Sequence, residues 1–290
     1  MSKKEYLYQV SIDKLEITYT TNENVKEYLS TGNNLYSFHN GNLWLQRDEP
    51  RYYQNEFIIW CKDWNDEKGY FNRILGYLRF GSFNPNRQNV YITYDNEALY
   101  EDWMINARYF IEESLNLEFR HISKIDIALD FNFNIERHLI RKYKDTDFEL
   151  IVNGIKANDK AVHGVGFLSW FNPRHRLYAN PQMLIKDSDS TLTMKTYNKT
   201  KEIEQESGKF YIQQKAGFNT TMYRIEITCK NHKKLAKTLS ALGMSDLDLY
   251  THLDDEDTLI KIFKHLMDRI IRLRAKRKSY NLLDLTIKDL

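Results

Sequence analysis

Apolar and polar residues alternate from Val10 to Tyr19, with Leu15, Ile17 and Tyr19 on one face, which is the period of a half-buried strand. Shorter stretches of the same kind follow at 42–46, 54–61, 76–83 and 89–94, punctuated by Gly, Pro and Asn. Then the period changes. Leu99, Trp103, Ala107, Phe110, Ile111 and Leu115 recur at the spacing of one helical face and predict a helix over 96–117. A second round opens with a strong strand at 123–133 and a helix at 135–144. Strands are predicted at 162–171, 191–198 and 220–230, and a helix at 232–242. Strands, a helix, strands and a helix again predict an α+β fold with an antiparallel-rich sheet core in two halves, 1–118 and 119–243. The halves would share one continuous sheet or pack two sheets together.

The last residues, 244–290, form a separate helical segment in this reading. An acidic stretch from Asp246 to Asp257 precedes a helix with the apolar stripe Leu259, Ile262, Phe263, Leu266, Ile270 and Leu273. Its other faces carry Lys261, Lys264, Arg269, Arg272, Arg274, Lys276, Arg277 and Lys278. Charge changes the picture here. The chain has 42 Lys plus Arg against 40 Asp plus Glu, a net charge of +2 that by itself does not point to nucleic acid. That total is a cancellation between an acidic stretch and a basic helix face.

Composition excludes disordered and low-complexity classes, since 42% of the 290 residues are hydrophobic and only four are Pro. Apolar runs such as Phe57-Ile58-Ile59-Trp60 are far short of a membrane helix, and no apolar signal core follows the N-terminus. The two cysteines, Cys61 and Cys229, lie in unrelated contexts and make neither a disulfide framework nor a zinc motif. A reducing, cytoplasmic location without a membrane partner is expected.

Three strand segments carry candidate chemistry. In Lys124-Ile125-Asp126-Ile127-Ala128-Leu129-Asp130-Phe131, Asp126 and Asp130 share a face. Two acids on a strand face need a cation, an ion-pair partner or exposure to water. In Thr193-Met194-Lys195-Thr196-Tyr197-Asn198-Lys199, the residues Lys195, Tyr197 and Lys199 share a side. A tyrosine is a poor nucleophile at its ordinary pKa of about 10, and flanking ammonium groups favour the phenolate and attract phosphate. An ordinary sheet tyrosine is the competing reading. In Tyr223-Arg224-Ile225-Glu226-Ile227-Thr228, the residues Arg224 and Glu226 share a face and form either an exposed ion pair or part of an oxygen-ligand set.

In order and wording these segments resemble rolling-circle replication initiators of the plasmid Rep_trans type and the related filamentous-phage gene II type. The resemblance rests on Ile12-Asp13-Lys14-Leu15-Glu16-Ile17-Thr18, Ile125 to Asp130, the Tyr197-Asn198-Lys199-x-x-Glu202 element and the Arg224-x-Glu226 strand, and it spans roughly residues 10–240. It implies a nicking domain at 1–243 in which Tyr197 is the nucleophile, helped by Lys199 and Glu202. Asp126, Asp130 and Glu226 would hold Mg²⁺ or Mn²⁺. Lys195, Arg224, Arg272 and Lys276 would contact DNA. The expected partner is origin DNA, single-stranded or extruded as a hairpin, with a host helicase as a further partner and a dimer as one possible assembly.

The chain departs from the family pattern at Thr228, where plasmid members commonly carry a second acid, and no Gly-Ser element precedes the tyrosine in 184–190. None of the eight histidines forms a His-hydrophobe-His motif, so the implied metal site is built of carboxylates, with His163 and His175 as loose extra candidates. Tyr52, Tyr53, Trp60, Trp64, Tyr70 and Phe71 are candidates for stacking on bases. A mobilisation relaxase would use the same chemistry. A non-catalytic DNA-binding protein of this fold would not need it, and an unrelated metal-dependent hydrolase would not need Tyr197.

Overall fold

The structure, a computed structural model, describes residues 8–65, 69–82, 89–135, 149–156, 183–187, 189–275 and 278–280. The chain is α+β and is built on a large antiparallel sheet, as the periodicities predict. It divides into two compact units: Asp13–Ile125, and Met1–Ile12 with Asp126–Leu290.

In the unit Asp13–Ile125 the elements are β1 (Tyr8–Thr20, which begins before it), α1 (Glu23–Ser30), β2 (Leu35–Phe38), β3 (Leu43–Arg47), β4 (Tyr53–Asn65), β5 (Gly69–Ser82), β6 (Val90–Tyr94), α2 (Met104–Ser114) and β7 (Glu118–Phe131, which runs beyond it). The strands lie in the order β1-β6-β5-β4-β3-β2 with antiparallel pairing. Its core is the inward face of these strands, including Leu15, Ile17, Tyr19, Leu45, Phe57, Ile59, Leu78 and Ile92. Each such side chain contributes about 1.5–3 kcal/mol on burial. β5 approaches β6 so closely at Gly76 that a Cβ there would lie 2.4 Å from the Thr93 carbonyl oxygen, which only glycine permits.

The helix expected over 96–117 is shorter. Asp95 accepts a hydrogen bond from the Glu97 N–H, Ala98–Tyr100 form a single tight turn, and Glu101 is extended before α2 begins. α1 and β2 are additions that the apolar periodicity did not mark. α1 is polar, with one buried residue, Leu29, and is set by the Asn22 side chain accepting from the Val25 N–H.

The other unit contains β8 (Glu149–Val152), β9 (Ile155–Lys156), β10 (Met183–Lys186), β11 (Leu192–Asn198), α3 (Lys199–Glu202), α4 (Phe210–Ala216), β12 (Tyr223–Cys229), α5 (His232–Ala241), α6 (Asp246–Thr251), α7 (Glu256–Ile270), β13 (Ile271–Ala275) and β14 (Lys278–Tyr280). Its main sheet runs β10-β11-β12-β7, and a small sheet runs β14-β13-β8-β9. Helices α5 and α7 pack on the main sheet. Met194, Ile225 and Ile227 from the strands and Leu235, Leu239, Ile262, Phe263 and Leu266 from the helices are all buried.

The basic C-terminal helix was expected to continue to Leu273, but α7 stops at Ile270. Ile271 is extended, at φ −146° and ψ 134°, and pairs with Val152. Arg272 and Arg274 therefore sit on a strand and not on a helix face, because ladder bonds to β8 replace helical ones. The helix predicted at 135–144 beyond Ile135 and the strand predicted at 162–171 lie outside the described residues, as do Lys276, His163 and His175. Among the described residues, no helix is long and apolar enough to cross a membrane.

Candidate active site

The main sheet of the second unit has one apolar and one polar face. Leu192, Met194 and Thr196 on β11 face the same way as Ile225, Ile227 and Cys229 on β12. The opposite face carries Thr193, Lys195 and Tyr197 beside Thr228, Glu226 and Arg224, since the antiparallel register places Thr193 against Thr228, Lys195 against Glu226 and Tyr197 against Arg224. Strand alternation puts Asp126 and Asp130 of β7 on one face as well, and Asp130 reaches Arg224. Thr193, Tyr197, Arg224, Glu226, Thr228, Asp126 and Asp130 are all buried.

Tyr197 is the centre of this face. Its hydroxyl donates to Glu226 Oε2 at 3.0 Å, and Lys195 Nζ lies 3.4 Å from Glu226 Oε1. One carboxylate thus links a phenol and an ammonium group across two neighbouring strands. Lys199 Nζ lies 5.8 Å from the centroid of the Tyr197 ring, within cation–π range. It also donates to Glu202 Oε2 at 2.5 Å, although Lys199 is only 3% exposed. The local sequence explains this geometry. Asn198 ends β11 and caps α3 by accepting from the Lys201 N–H. The cap turns the chain so that Lys199 opens the helix and Glu202 stands one turn later, within reach of it.

Asp130 is not available as a ligand. Both its oxygens accept from Arg224, from Nε and from Nη2, each at 2.7 Å, and the pair is fully buried. Such a fork-to-fork arrangement is a strong, directional pairing. Arg224 is 0% exposed and gives its Nε and Nη2 donors to Asp130, so as it stands it does not present a side chain to DNA in the way expected of it.

Residues fit a hard cation when several carboxylate oxygens converge on one point. Here Asp130 is committed to Arg224 and both Glu226 oxygens face donors. Among the described residues no three His, Cys, Asp or Glu side chains are grouped so as to hold a metal. The expected Mg²⁺ or Mn²⁺ set of Asp126, Asp130 and Glu226 does not fit as the side chains stand. Of the other expected DNA contacts, Lys195 is partly exposed at the site and Arg272 is exposed on β13, away from it in sequence and element.

The proposed stacking residues fare unevenly. Tyr52 is 77% exposed, whereas Trp60 stacks on Trp44 with ring centroids 6.2 Å apart and Tyr53 leans on Tyr91. Phe71 lies under the Arg73 guanidinium, and the side chains of Trp64 and Tyr70 lie outside the described residues. Sequence reasoning placed Tyr197 and Glu226 in one site but missed their direct bond. The signal was the shared parity of two strands, which becomes a contact only once the register is known.

No family model matches the chain, and no curated protein matches it. Among solved structures, a rolling circle replication initiator protein from Geobacillus stearothermophilus matches over 94% of this chain and 89% of its own, with 13% sequence identity and a TM-score of 0.41. A likeness at that score carries no argument about the chemistry of this chain.

Proposed function

We propose that the chain nicks one strand of DNA by transesterification through Tyr197, leaving a 5′-phosphotyrosyl link and a 3′-OH that can prime rolling-circle replication. The observation that carries this reading is the hydrogen bond from the Tyr197 hydroxyl to Glu226, a ready proton acceptor, with Lys195 and Lys199 supplying positive charge on either side. The ordered motifs around residues 12–18, 125–130, 197–202 and 224–226 support the same reading.

In the proposed step the phenol loses its proton to Glu226 as its oxygen attacks phosphorus. The Tyr197–phosphorus bond forms as the bond to the 3′ oxygen breaks, and that oxygen takes a proton from water to leave as the 3′-OH, while the proton on Glu226 passes to solvent. Lys195 stabilises charge on the phosphoryl oxygens, and Lys199, held by Glu202, stabilises the developing phenolate. The phosphoester bond is conserved in the tyrosyl link and remains available for rejoining. Origin DNA, single-stranded or extruded, is the substrate of this reading.

A second reading, a DNA-binding protein of the same architecture without chemistry, is favoured by one observation. Tyr197 is only 6% exposed, and its hydroxyl is buried. One experiment separates the two. The protein is incubated with labelled single-stranded DNA from its own replicon, with and without Mg²⁺ or Mn²⁺, and denaturing gels are scored for a covalent adduct. Wild type is expected to form the adduct and Tyr197→Phe to form none. An adduct that survives in Tyr197→Phe removes this tyrosine from the reaction, and no adduct from wild type leaves the binding reading.

A further inference from the structure

Helix α2, in the unit Asp13–Ile125, carries an apolar face that this unit covers only in part. Met104, Ile111 and Leu115 are buried, whereas Trp103 is half-buried and Phe110 is 51% exposed. Trp103, Ala107 and Phe110 succeed one another at helical spacing and form a continuous stripe. They line an open cavity of about 770 Å³. Leu43, Cys61 and Leu75, all buried, line it from the strands, and burial with the neighbouring Asp63 charge pushes the Cys61 thiol up to about 12, so it serves as an apolar surface. The remaining lining is mostly exposed and polar: the amides of Asn40, Asn42 and Asn106, with Lys62 and Asp63.

The lining is built and held by specific devices. Ile59 pairs with Gly76 but Trp60 pairs with Ile74, so Leu75 is the extra residue of a bulge, a device that re-aims a side chain. His39 and Asn40 have φ of 47° and 57°, followed by Gly41 at 82°. Non-glycine residues in this region are strained by about 1–3 kcal/mol and persist only where the surroundings hold them. Those surroundings are visible. The His39 ring meets Phe110 edge-on with centroids 5.0 Å apart, and its Nε2 lies 2.7 Å from Ser114 Oγ. Across the cavity lining, Arg73 pairs with Asp63 at 2.9 Å and lies 5.6 Å over the Trp103 ring, fixing both.

We infer that this cavity binds a nucleobase. Trp103 and Phe110 offer aromatic surface, the three amides offer donors and acceptors for the hydrogen-bonding edges of a base, and Lys62 offers a cation for an attached phosphate. A purely apolar ligand would leave the amides and the Lys62–Asp63 edge unused. The volume lies within the range of roughly 300–1,000 Å³ common for small-ligand sites and leaves room for a sugar. The base comes either from a free nucleotide or from an unstacked position in a single strand; the recognising chemistry is the same. This site does not depend on the reaction proposed for Tyr197.

The test is equilibrium binding by the full chain. Adenosine and thymidine 5′-monophosphates are titrated by calorimetry, and fluorescein-labelled dA12 and dT12 by anisotropy, for wild type, Phe110→Ala and Asn106→Ala. Both side chains are exposed, and circular dichroism confirms folding of the variants. At least one probe is expected to bind, and Phe110→Ala to weaken it about tenfold or more, the scale of a lost base–aromatic stack. Binding of a monophosphate assigns a free nucleotide, and binding of the oligonucleotides alone assigns a strand. No binding up to about 1 mM, or binding that both variants leave unchanged, overturns the inference. Because no cleavage is read, a protein that makes no Tyr197 adduct can still pass, and one that makes the adduct can still fail.

Discussion

Glu226 does two things at once: it accepts from the Tyr197 hydroxyl on one oxygen and faces Lys195 on the other. In the proposed reaction this carboxylate takes the phenolic proton, which an amide of the same shape cannot do. Glu226→Gln is therefore expected to fold and to lower the rate of adduct formation by about 10²–10⁴-fold, the usual share of general-base catalysis. A rate within a few-fold of wild type would assign the proton to another group. The neighbouring Arg224 and Asp130 play a different part. Their pairing is fully buried and doubly bonded, so removing the cation leaves an uncompensated charge inside the sheet. Arg224→Met should destabilise by about 3–5 kcal/mol in urea denaturation. A loss below about 1 kcal/mol would show that water or another cation reaches Asp130.

At the scale of elements, the turn from β3 into β4 is organised by one carboxylate. Glu56 accepts from the backbone N–H groups of Arg51, Tyr52 and Tyr53 at 3.0, 2.9 and 3.2 Å. Burial by itself raises its pKa, but these three donors, with Arg79 nearby, outweigh burial and hold it below the ordinary 4.5. Since the folded value lies below the unfolded one, the stabilisation is fully present above about pH 4.5 and is lost as pH falls through the folded value. Glu56→Gln is expected to cost about 1.5–3 kcal/mol at pH 7, the range for hydrogen bonds to a charged group. The difference from wild type should shrink when thermal unfolding is repeated at about pH 3. A constant difference across that range would mean that the charge is not what the turn uses.

Elements also show where periodicity was sufficient. The strands β1, β3, β4, β6, β11 and β12 and helix α5 fall close to where alternation or helical spacing places them. The helix expected over 96–117 is cut by an extended Glu101, a local feature, whereas α7 ends where Ile271 finds a strand partner in Val152, far away in the chain. The apolar stripe of α2 was legible as one helical face. Its exposed portion became a cavity wall only through the placement of β3, β4 and β5.

Over the whole molecule, the net charge of +2 is a total that does not report where the cations lie. Cations are placed locally, as with the partly exposed Lys195 and the exposed Lys62 and Arg272. On the proposed function, binding to single-stranded DNA is expected to fall with salt, with a logarithmic slope of about −0.7 for each phosphate neutralised. Anisotropy titrations between about 50 and 200 mM salt would measure it. A flat dependence would contradict DNA contact by these side chains.

The alternating strands, the order of the motifs and the assignment of Tyr197, Glu226, Asp126 and Asp130 to particular strand faces were settled by sequence alone, because side-chain parity is a local property of an extended chain. What tertiary structure decided was who meets whom. The register of β11 against β12 turned a shared face into a Tyr197–Glu226 hydrogen bond, and Asp130 met Arg224 across 94 residues of chain instead of joining a cation site. Pairing across strands depends on register and burial, and neither is encoded within any one segment.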